Sequence, residues 1–460
     1  MSDLGEQIAG LSAQQRALLE MRLAERRRQA AGGDRPSANV DDENLLLVES
    51  VDSVDDLLSR FYGRFPWPWP AKKFDYLEDP DFEIAMVNQD VGDWTHRTLP
   101  WTPRIWVAGC GVNQALIVAL RFRRAQVVGS DLSVKSLELC RRMAAEMGIK
   151  NLELREESIN HVTYENEFDS VICTGVIHHN AEPQVTLSRL AAALKPGGIM
   201  ELMVYNRFHR IITSAFQKAV RVFGEAGPEI DFEREVALAR KIVDDMPPNG
   251  ALEKAFIQYM EWSESDFADL LIQPVEHSYT VESLETLARS CGLEMMVPCV
   301  SNYAKHLAAN LRHDLDFQDP ALREQYFALS DTRRWQVTNL LLHDKSPLLW
   351  FYLRRSDGTP RRTQREICEA FLDTRFEPCA TTQRSFMRGD DGRYSLLPNA
   401  VTYPLTPSHR EVREIVEAAG PDRTMREVFG QLSLSTEWPS VDRLRNQLAT
   451  SAFSYLRAIA

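Results

Sequence analysis

The sequence lacks a long apolar segment. None of its apolar runs approaches the roughly 18 consecutive residues that a helix needs to cross a bilayer. Its first apolar residues fall within a charged helical pattern, which is not the pattern of a secretory signal. We therefore expect no membrane segment.

Cysteine is scarce, and its spacing does not suit a metal site. The seven cysteines are Cys110, Cys140, Cys173, Cys291, Cys299, Cys368 and Cys379. They are not spaced as metal ligands usually are, and three of them lie in predicted core segments. This usage is typical of a reducing compartment, so we expect a cytoplasmic protein without a metal site.

Basic residues are fewer than acidic residues. The chain has 53 Lys and Arg against 66 Asp and Glu, a net charge of −13. A nucleic-acid substrate requires a basic surface, so this balance argues against one. With 460 residues, of which 44% are hydrophobic, the chain exceeds one typical domain, and two or three units are expected.

What the chain does contain is a strand–turn–helix pattern followed by a second strand. An apolar run, residues 104–108, leads into a tight turn with Gly109 and Gly111, and a helical pattern continues to Leu120. A second apolar run ends at Asp131, 22 residues after Gly109. Glycine lets the backbone approach a ligand closely, and a carboxylate after the next strand can accept both ribose hydroxyls. The turn reads Gly-x-Gly-x-Asn and no phosphate-gripping Lys-Ser/Thr follows, which favours a nucleoside ligand without a pyrophosphate.

Two further sequence blocks follow Asp131 along the chain. Residues 167–179 read as a buried strand that ends in a His-His pair, and residues 187–205 as a helix, a Pro-Gly-Gly turn and another strand. Together the four blocks resemble class I S-adenosylmethionine-dependent methyltransferases. The resemblance implies an α/β fold: a Rossmann-like seven-stranded methyltransferase sheet with helical lid insertions and a small, mostly helical C-terminal domain. It also implies S-adenosylmethionine as the cofactor.

The resemblance assigns candidate cofactor-binding residues at the glycine turn and at the ends of the strands. They are Trp67, Gln89, Gly109, Cys110, Gly111, Asn113, Gln114, Asp131, Leu132, Glu157, Ser158, Ile159 and Thr174. Two positions depart from the family pattern. Ser158 stands where the family usually has an aspartate near the adenine, so Glu157 is an alternative for that contact. Val107 stands where many relatives have an acidic residue that organises the methionine portion, and Gln89, Asn113 and Gln114 are candidates for that duty.

A proline-aromatic segment precedes the glycine turn. Residues 61–70 carry three prolines at alternate positions, which predicts an extended strap and argues against a helix or a central strand. The strap either packs across the sheet or forms a wall of the cofactor pocket through Trp67. Aromatic faces attract the cationic sulfonium of S-adenosylmethionine, which favours the pocket.

Two long insertions interrupt the end of the predicted sheet. Residues 206–278 are mostly helical by periodicity, and residues 301–346 are too long for a hairpin. Between and after them lie a capped helix with the sixth strand, residues 280–297, and a seventh strand, residues 348–354, which runs antiparallel in the family. The insertions predict a lid over the acceptor site, and a dimerisation surface is the alternative.

Both ends of the chain extend beyond this fold. The predicted division is an N-terminal helix with a linker (1–44), an N-terminal cap (45–100), the methyltransferase core (101–357) and a C-terminal accessory domain (358–460). The first helix, residues 10–30, either packs on its own body or docks a partner, since it resembles short helices that precede domains of nonribosomal peptide synthetases. The C-terminal domain is predicted to have helices over 403–416, 424–432 and 440–459. It loosely resembles winged-helix modules, and a helical dimer cap is the alternative.

Methyl transfer depends mainly on the positioning of the acceptor against the methyl group, and it requires a base only where the nucleophile binds in its protonated form. The catalytic candidates lie after the fourth and fifth strands and before the returning helix: His178, His179, Tyr205, His209 and His277. Adjacent residues of an extended segment point in opposite directions, so at most one histidine of the pair should face the acceptor.

The sequence thus predicts a cytoplasmic methyltransferase that acts on a small molecule or peptide of specialised metabolism, free or carrier-bound. Oxygen is the first choice of acceptor atom and nitrogen the second, whereas a carboxylate would need no base. The alternatives are a non-catalytic cofactor-binding accessory protein of a peptide synthetase pathway, or another transferase that uses the same cofactor.

Overall fold

The computed structural model describes residues 51–67, 70–224, 231–245, 263–299, 315, 317–342, 347–356, 361–451 and 453–459. The predicted N-terminal helix over residues 10–30 and its linker lie outside the described residues, as does part of each predicted insertion.

Ahead of the glycine turn the chain forms two helices and one strand: α1 (Val51–Arg64), β1 (Lys73–Leu77) and α2 (Phe82–Asp90). The prediction that residues 61–70 avoid a helix is wrong for residues 61–64, because the first proline comes only at Pro66 and helix α1 continues to Arg64. Phe61 and Phe65 are fully buried against helices from the first insertion.

The core then alternates strand and helix, as predicted. Its elements are β2 (Arg104–Ala108), α3 (Gln114–Arg121), β3 (Gln126–Asp131), α4 (Val134–Glu146), β4 (Leu152–Glu156), β5 (Phe168–Thr174), a 3-10 helix (Ile177–His179), α5 (Pro183–Ala193) and β6 (Leu194–Tyr205). Ser133 begins α4 by accepting a hydrogen bond from the Ser136 N–H, the usual role of serine at a helix start.

The chain returns to the sheet after each insertion. The elements are α6 (Arg207–Phe223), α7 (Phe232–Asp244), α8 (Glu264–Leu271), α9 (Val281–Ser290), β7 (Leu293–Pro298), α10 (Pro320–Ala328), α11 (Asp331–Leu341) and β8 (Leu348–Arg355). Thr280 and Ser283 form a capping box at the start of α9, which explains the predicted helix there.

The strands β4-β3-β2-β5-β6-β8-β7 form one sheet in this order. Strands β2 to β6 pair in parallel, and β8 pairs antiparallel with both β6 and β7. This sheet confirms the predicted α/β fold, including the antiparallel seventh strand. None of the described helices is long and apolar enough to span a bilayer.

The C-terminal segment contains more strands than predicted. It has α12 (Gln364–Leu372), β9 (Phe376–Pro378), β10 (Thr381–Arg388), β11 (Tyr394–Leu396), β12 (Val401–Tyr403), α13 (Arg410–Ala418), α14 (Met425–Gln431), α15 (Trp438–Leu448), β13 (Ala449–Thr450), β14 (Phe453–Ser454) and β15 (Leu456–Ala458). The helix predicted over 440–459 ends at Leu448, because the following residues form short strands. The resemblance to winged-helix modules stays a prediction.

The C-terminal segment packs on the sheet and on the N-terminal cap. Ile105 and Val107 of β2 belong to one buried cluster with Phe371 of α12, while Trp106 and Ala108 belong to a second cluster. Alternate residues of a strand face opposite sides, so one side of the sheet is covered by the C-terminal segment. Strands β1 and β10 pair antiparallel, so the cap and the C-terminal segment share a second, smaller sheet.

Candidate functional site

A cavity of about 550 Å³ opens at the C-terminal ends of strands β2, β3, β5 and β6. This is the edge where open α/β sheets bind ligands. Its other walls come from α1, from the first insertion through α6 and α8, and from the residues that lead into β8. The lining residues are Asp55, Leu58, Tyr62, Trp67, Gly109, Cys110, Gly111, Gln114, Asp131, Leu132, Ser136, Ser158, Ile159, Thr174, Gly175, Val176, His179, Asn180, Met203, Tyr205, His209, Arg210, Thr213, Asp269, Leu270, Pro347 and Leu348.

The turn after β2 depends on glycine. Gly109 and Gly111 have φ angles of +69° and +51°, a region that favours glycine. A Cβ atom on Gly109 would lie 2.8 Å from Val176 Cγ1 and closer still to Cγ2. The sequence suggested that glycine clears space for a ligand here. The structure adds a different reason, since the turn must also fit against Val176 of the neighbouring strand end.

Asp131 ties the second strand to this turn. Its Oδ2 accepts a hydrogen bond of 2.7 Å from the Gly111 N–H, and its Oδ1 accepts one of 2.8 Å from the Ser133 N–H. Burial raises the pKa of this carboxyl, while the bonds from Ser133 and Gly111 oppose the rise. The carboxylate is therefore held at the cavity wall in a fixed orientation.

The end of β4 carries a polar cluster that includes a residue from α1. The Ser158 hydroxyl and the Asn160 side-chain amide both donate to the buried carboxylate of Asp55, the latter at 3.0 Å. Asn160 also donates to Asn180 Oδ1 at 3.0 Å. Ser158, Asp55 and Asn180 line the cavity. A carboxylate thus stands beside Ser158, although it comes from a helix about one hundred residues earlier in the chain.

The histidine pair lies in a 3-10 helix, so the prediction of an extended segment at this place is wrong. His179 lines the cavity, and its Nδ1 donates to the Val275 carbonyl at 2.8 Å, which leaves Nε2 as the nitrogen with a lone pair. Burial lowers the pKa of His179 to about 4, so the ring is neutral at pH 7.

His178 and His277 do not line the cavity, which corrects their selection as acceptor contacts. His178 is fully buried, with its ring centroid 4.0 Å from that of Tyr205, and burial lowers its pKa. The His277 backbone N–H donates to the His178 carbonyl at 2.7 Å, and its ring Nε2 lies 3.0 Å from the Asn180 carbonyl oxygen. Both histidines support the loops behind the wall formed by His179 and Tyr205.

The first insertion adds charged residues that the sequence did not single out. Arg210 of α6 forms a two-pronged ion pair with Glu276, at 2.8 and 2.5 Å, and its guanidinium stacks 4.3 Å from the Tyr205 ring centroid. Asp269 of α8 accepts hydrogen bonds from Tyr62 and from Gln273. The spacing of Asp269 and Gln273, four residues apart, was visible in the sequence, but nothing local indicated that this face meets the cavity.

Thirteen of the predicted site residues lie on the cavity wall, where their individual roles stay predictions. They are Trp67, Gly109, Cys110, Gly111, Gln114, Asp131, Leu132, Ser158, Ile159, Thr174, His179, Tyr205 and His209.

Three predicted cofactor residues lie elsewhere, which corrects their assignment. Gln89 is fully buried and bonds with backbone groups of the C-terminal segment, among them Leu456 O at 3.0 Å and Ala458 N at 2.7 Å. Asn113 does not line the cavity, and its Oδ1 lies 3.4 Å from the Ala71 N–H. Glu157 accepts hydrogen bonds from the Tyr164 hydroxyl. The Gln89 amide is bonded through both its nitrogen and its oxygen to backbone groups of the C-terminal segment.

Comparison with known proteins agrees with this geometry. The family model described as "Methyltransferase domain" matches residues 108–227. An uncharacterized protein from Synechococcus sp. is 26% identical over 300 residues, which cover 63% of this chain and 69% of the relative. The ubiquinone biosynthesis O-methyltransferase of Paracidovorax citrulli is 31% identical over 123 residues, which cover 26% of this chain and 51% of that enzyme. The chain thus spans about half the length of this named relative.

A solved structure resembles most of the chain. PKMT2 from Rickettsia typhi superposes with a TM-score of 0.52 and 13% identity, covering 85% of this chain and 77% of that one. The same protein in complex with AdoHcy gives a TM-score of 0.51 at 14% identity. At these identities the likeness shows the shared fold.

Proposed function

We propose that this chain, which carries a class I S-adenosylmethionine-dependent methyltransferase domain, transfers a methyl group to an oxygen of a small molecule or peptide of specialised metabolism. One observation carries the proposal: a single cavity joins the glycine turn and Asp131 to Tyr205, His209 and Arg210. Its volume of about 550 Å³ falls in the range of roughly 300–1,000 Å³ that is usual for small-molecule sites.

The residues at the glycine turn fit the cofactor. The backbone of Gly109 and Gly111 approaches the cavity without side chains, and Asp131 presents a fixed carboxylate there. Ile159 and Ser158 offer an apolar wall and a polar edge for the adenine, and Trp67 offers an aromatic face. When bound, S-adenosylmethionine supplies a methyl group on a cationic sulfonium, which an aromatic face favours.

Residues from α6 and α8 form the acceptor half of the same cavity. His209, Arg210 and Thr213 lie on α6, and Asp269 and Leu270 on α8. Closing helices over the site excludes water and holds the acceptor in line with the methyl group, which supplies most of the acceleration in such a displacement. This supports the lid interpretation of the first insertion.

Two observations support oxygen as the acceptor atom. The neutral ring of His179 lines the cavity and keeps a lone pair on Nε2, which can accept the hydrogen bond of an acceptor hydroxyl group. The Paracidovorax relative is also named as an O-methyltransferase. We further propose that the protein works in the cytoplasm, because all seven cysteines are free thiols.

A transfer assay tests the proposal. The protein is incubated with S-adenosylmethionine labelled in its methyl group and with matched sets of phenols, alcohols, amines and carboxylic acids, each offered free and as a carrier-bound thioester. We expect label in hydroxyl compounds. Label in amines alone would contradict oxygen transfer, whereas label in carboxylic acids would be transfer to a carboxylate oxygen. Cofactor binding without any transfer would instead favour the accessory-protein alternative.

Substitutions distinguish the role of the acceptor half of the cavity from that of the half at the glycine turn. His209→Ala should lower kcat while the cofactor affinity stays nearly unchanged, because His209 lies in the acceptor half. His161→Ala is the matched control, since His161 is exposed. Parallel loss of cofactor affinity and kcat in His209→Ala would mean that His209 holds the fold rather than the acceptor.

A further inference from the structure

Helix α8 carries a buried carboxyl group to the wall of the acceptor half. The side chain of Asp269 lines the cavity, and the residue is only 3% exposed. The Tyr62 hydroxyl donates to its Oδ1 at 3.1 Å, and Gln273 Nε2 donates to the same oxygen at 2.8 Å. Gln273 also donates to the Tyr62 hydroxyl oxygen at 2.7 Å. The triangle of Tyr62, Gln273 and Asp269 fixes the orientation of the carboxyl group.

The other oxygen of Asp269, Oδ2, has no such partner among the residues that the structure describes. Oδ2 accepts no hydrogen bond from the described residues, and it is not among the polar atoms sealed away from solvent there. The residue lines the cavity, which brings its carboxyl group within reach of a bound ligand. Buried polar groups are normally hydrogen-bonded, so an oxygen left open in an otherwise satisfied carboxyl group indicates a ligand that donates to it.

The charged groups that act on Asp269 are Arg210 of α6 and Glu276 of the segment after α8, and Tyr62 of α1 contributes a hydrogen bond. Burial raises the pKa of Asp269 to about 7, while the bonds from Tyr62 and Gln273 and the charge of Arg210 oppose the rise, and Glu276 adds to it. The ion pair with Glu276 largely neutralises the positive charge of Arg210. At neutral pH both protonation states of Asp269 are therefore populated, which is the condition that general acid–base catalysis favours.

We propose that Asp269 is the catalytic base of this site: Oδ2 accepts the hydrogen bond of the acceptor hydroxyl and takes its proton during methyl transfer. The inference rests on the function proposed above and narrows the acceptor to a phenol or an alcohol. The acceptor O–H bond breaks and its proton moves to Oδ2. The acceptor oxygen forms the new O–CH₃ bond, and the electron pair of the broken S–CH₃ bond stays on sulfur. A carboxylate acceptor would bring a second anion against Asp269, which like-charge repulsion opposes.

Chemical labelling tests the placement of Asp269 without an acceptor. Dicyclohexylcarbodiimide, an apolar reagent, adds to protonated carboxyl groups that it can reach and leaves a stable N-acylurea, which peptide mass mapping locates. We expect modification of Asp269 at pH 6 and at least a several-fold weaker modification at pH 8.5. Asp269→Asn should lose this mass shift, and Glu264→Gln, an exposed carboxylate on the same helix, should keep it. An unmodified Asp269 in the folded protein at pH 6 would overturn the proposal.

A second variant tests the positioning triangle. Tyr62→Phe removes a hydrogen bond that lowers the pKa of Asp269, so the labelling should persist to higher pH than in the wild type. An unchanged pH dependence would show that Tyr62 does not act on the Asp269 carboxyl group.

Kinetics test the role of the carboxyl group. With a hydroxyl acceptor from the transfer assay, kcat of the wild type should rise with pH to a plateau above about pH 7, where Asp269 is ionised. Asp269→Asn should lower kcat about 100-fold or more and lose this rise, with the cofactor affinity unchanged. An intact kcat in Asp269→Asn would overturn this inference alone. Transfer to carboxylic acids alone would also overturn this inference but not the proposed function, whereas transfer to amines alone would overturn the proposed function, whatever the labelling result.

Discussion

The carboxylate of Asp55 in α1 accepts the hydroxyl hydrogen bond of Ser158 at the end of β4. It also accepts the side-chain N–H of Asn160 at 3.0 Å. Ser158 stands where the resemblance leads us to expect an aspartate, and helix α1 brings the carboxylate of Asp55 beside it. Helix α1 therefore forms part of the cavity wall and also packs against the helices of the first insertion.

Removal of Asp55 should destabilise the protein. Asp55→Ala leaves the Ser158 hydroxyl and the Asn160 amide without their acceptor in a buried cluster, which costs about 1–3 kcal/mol. Urea unfolding followed by circular dichroism measures this. Asp56→Ala is the control, because Asp56 is the exposed neighbour in the same helix. Equal stability of the two variants would show that the cluster contributes nothing.

Gly109→Ala should be more damaging than the same change at Gly148. Both glycines have φ +69°, so each substitution meets a left-handed conformation that costs about 1–2 kcal/mol. A Cβ at Gly109 would also collide with Val176, whereas nothing lies within 4 Å of a Cβ at Gly148. Thermal unfolding of the two variants isolates the contribution of the collision. Val176→Ala added to Gly109→Ala should recover part of the loss, and no recovery would mean that the collision is relieved by other shifts.

The low pKa of His179 predicts a loss of stability in acid. The folded protein disfavours protonation of this ring, whereas the unfolded chain protonates it below about pH 6.5. The neutral ring therefore makes its full contribution to the free energy of unfolding above about pH 6.5, and this contribution disappears as pH falls towards 4. Wild type should lose up to roughly 3 kcal/mol over this range through His179. His179→Gln should show a shallower acid limb in urea unfolding at a series of pH values, whereas His161→Gln, a change of an exposed histidine, should not. Identical limbs in wild type and His179→Gln would contradict the account.

Local patterns were sufficient to predict the strands and the turn that border the cavity. Apolar runs, the glycine turn and the carboxylate of Asp131 lie within about thirty consecutive residues, so periodicity and turn chemistry predict them. The capping residue Thr280 and the seventh strand were also visible, because each depends on neighbouring residues.

Contacts between distant segments could not be predicted in this way. Tyr62 meets Asp269 across 207 positions, and β1 pairs with β10 from the far end of the chain. Gln89 illustrates the same limit: its amide suits a ligand, but backbone groups of the C-terminal segment already satisfy it. A single sequence does not indicate which distant group will meet a polar side chain.

The central claim is that Asp131 and the glycine turn hold S-adenosylmethionine, and isothermal titration calorimetry tests it most directly. Wild type should bind S-adenosylmethionine and S-adenosylhomocysteine saturably with one site per chain. Asp131→Ala should bind both more weakly by about 1.5–3 kcal/mol, roughly 10- to 150-fold, because hydrogen bonds to a charged group are lost. Glu153→Ala, an exposed change on the neighbouring strand β4, should bind as the wild type does. A folded wild type that binds neither compound, or an Asp131→Ala variant with unchanged affinity, would contradict the account.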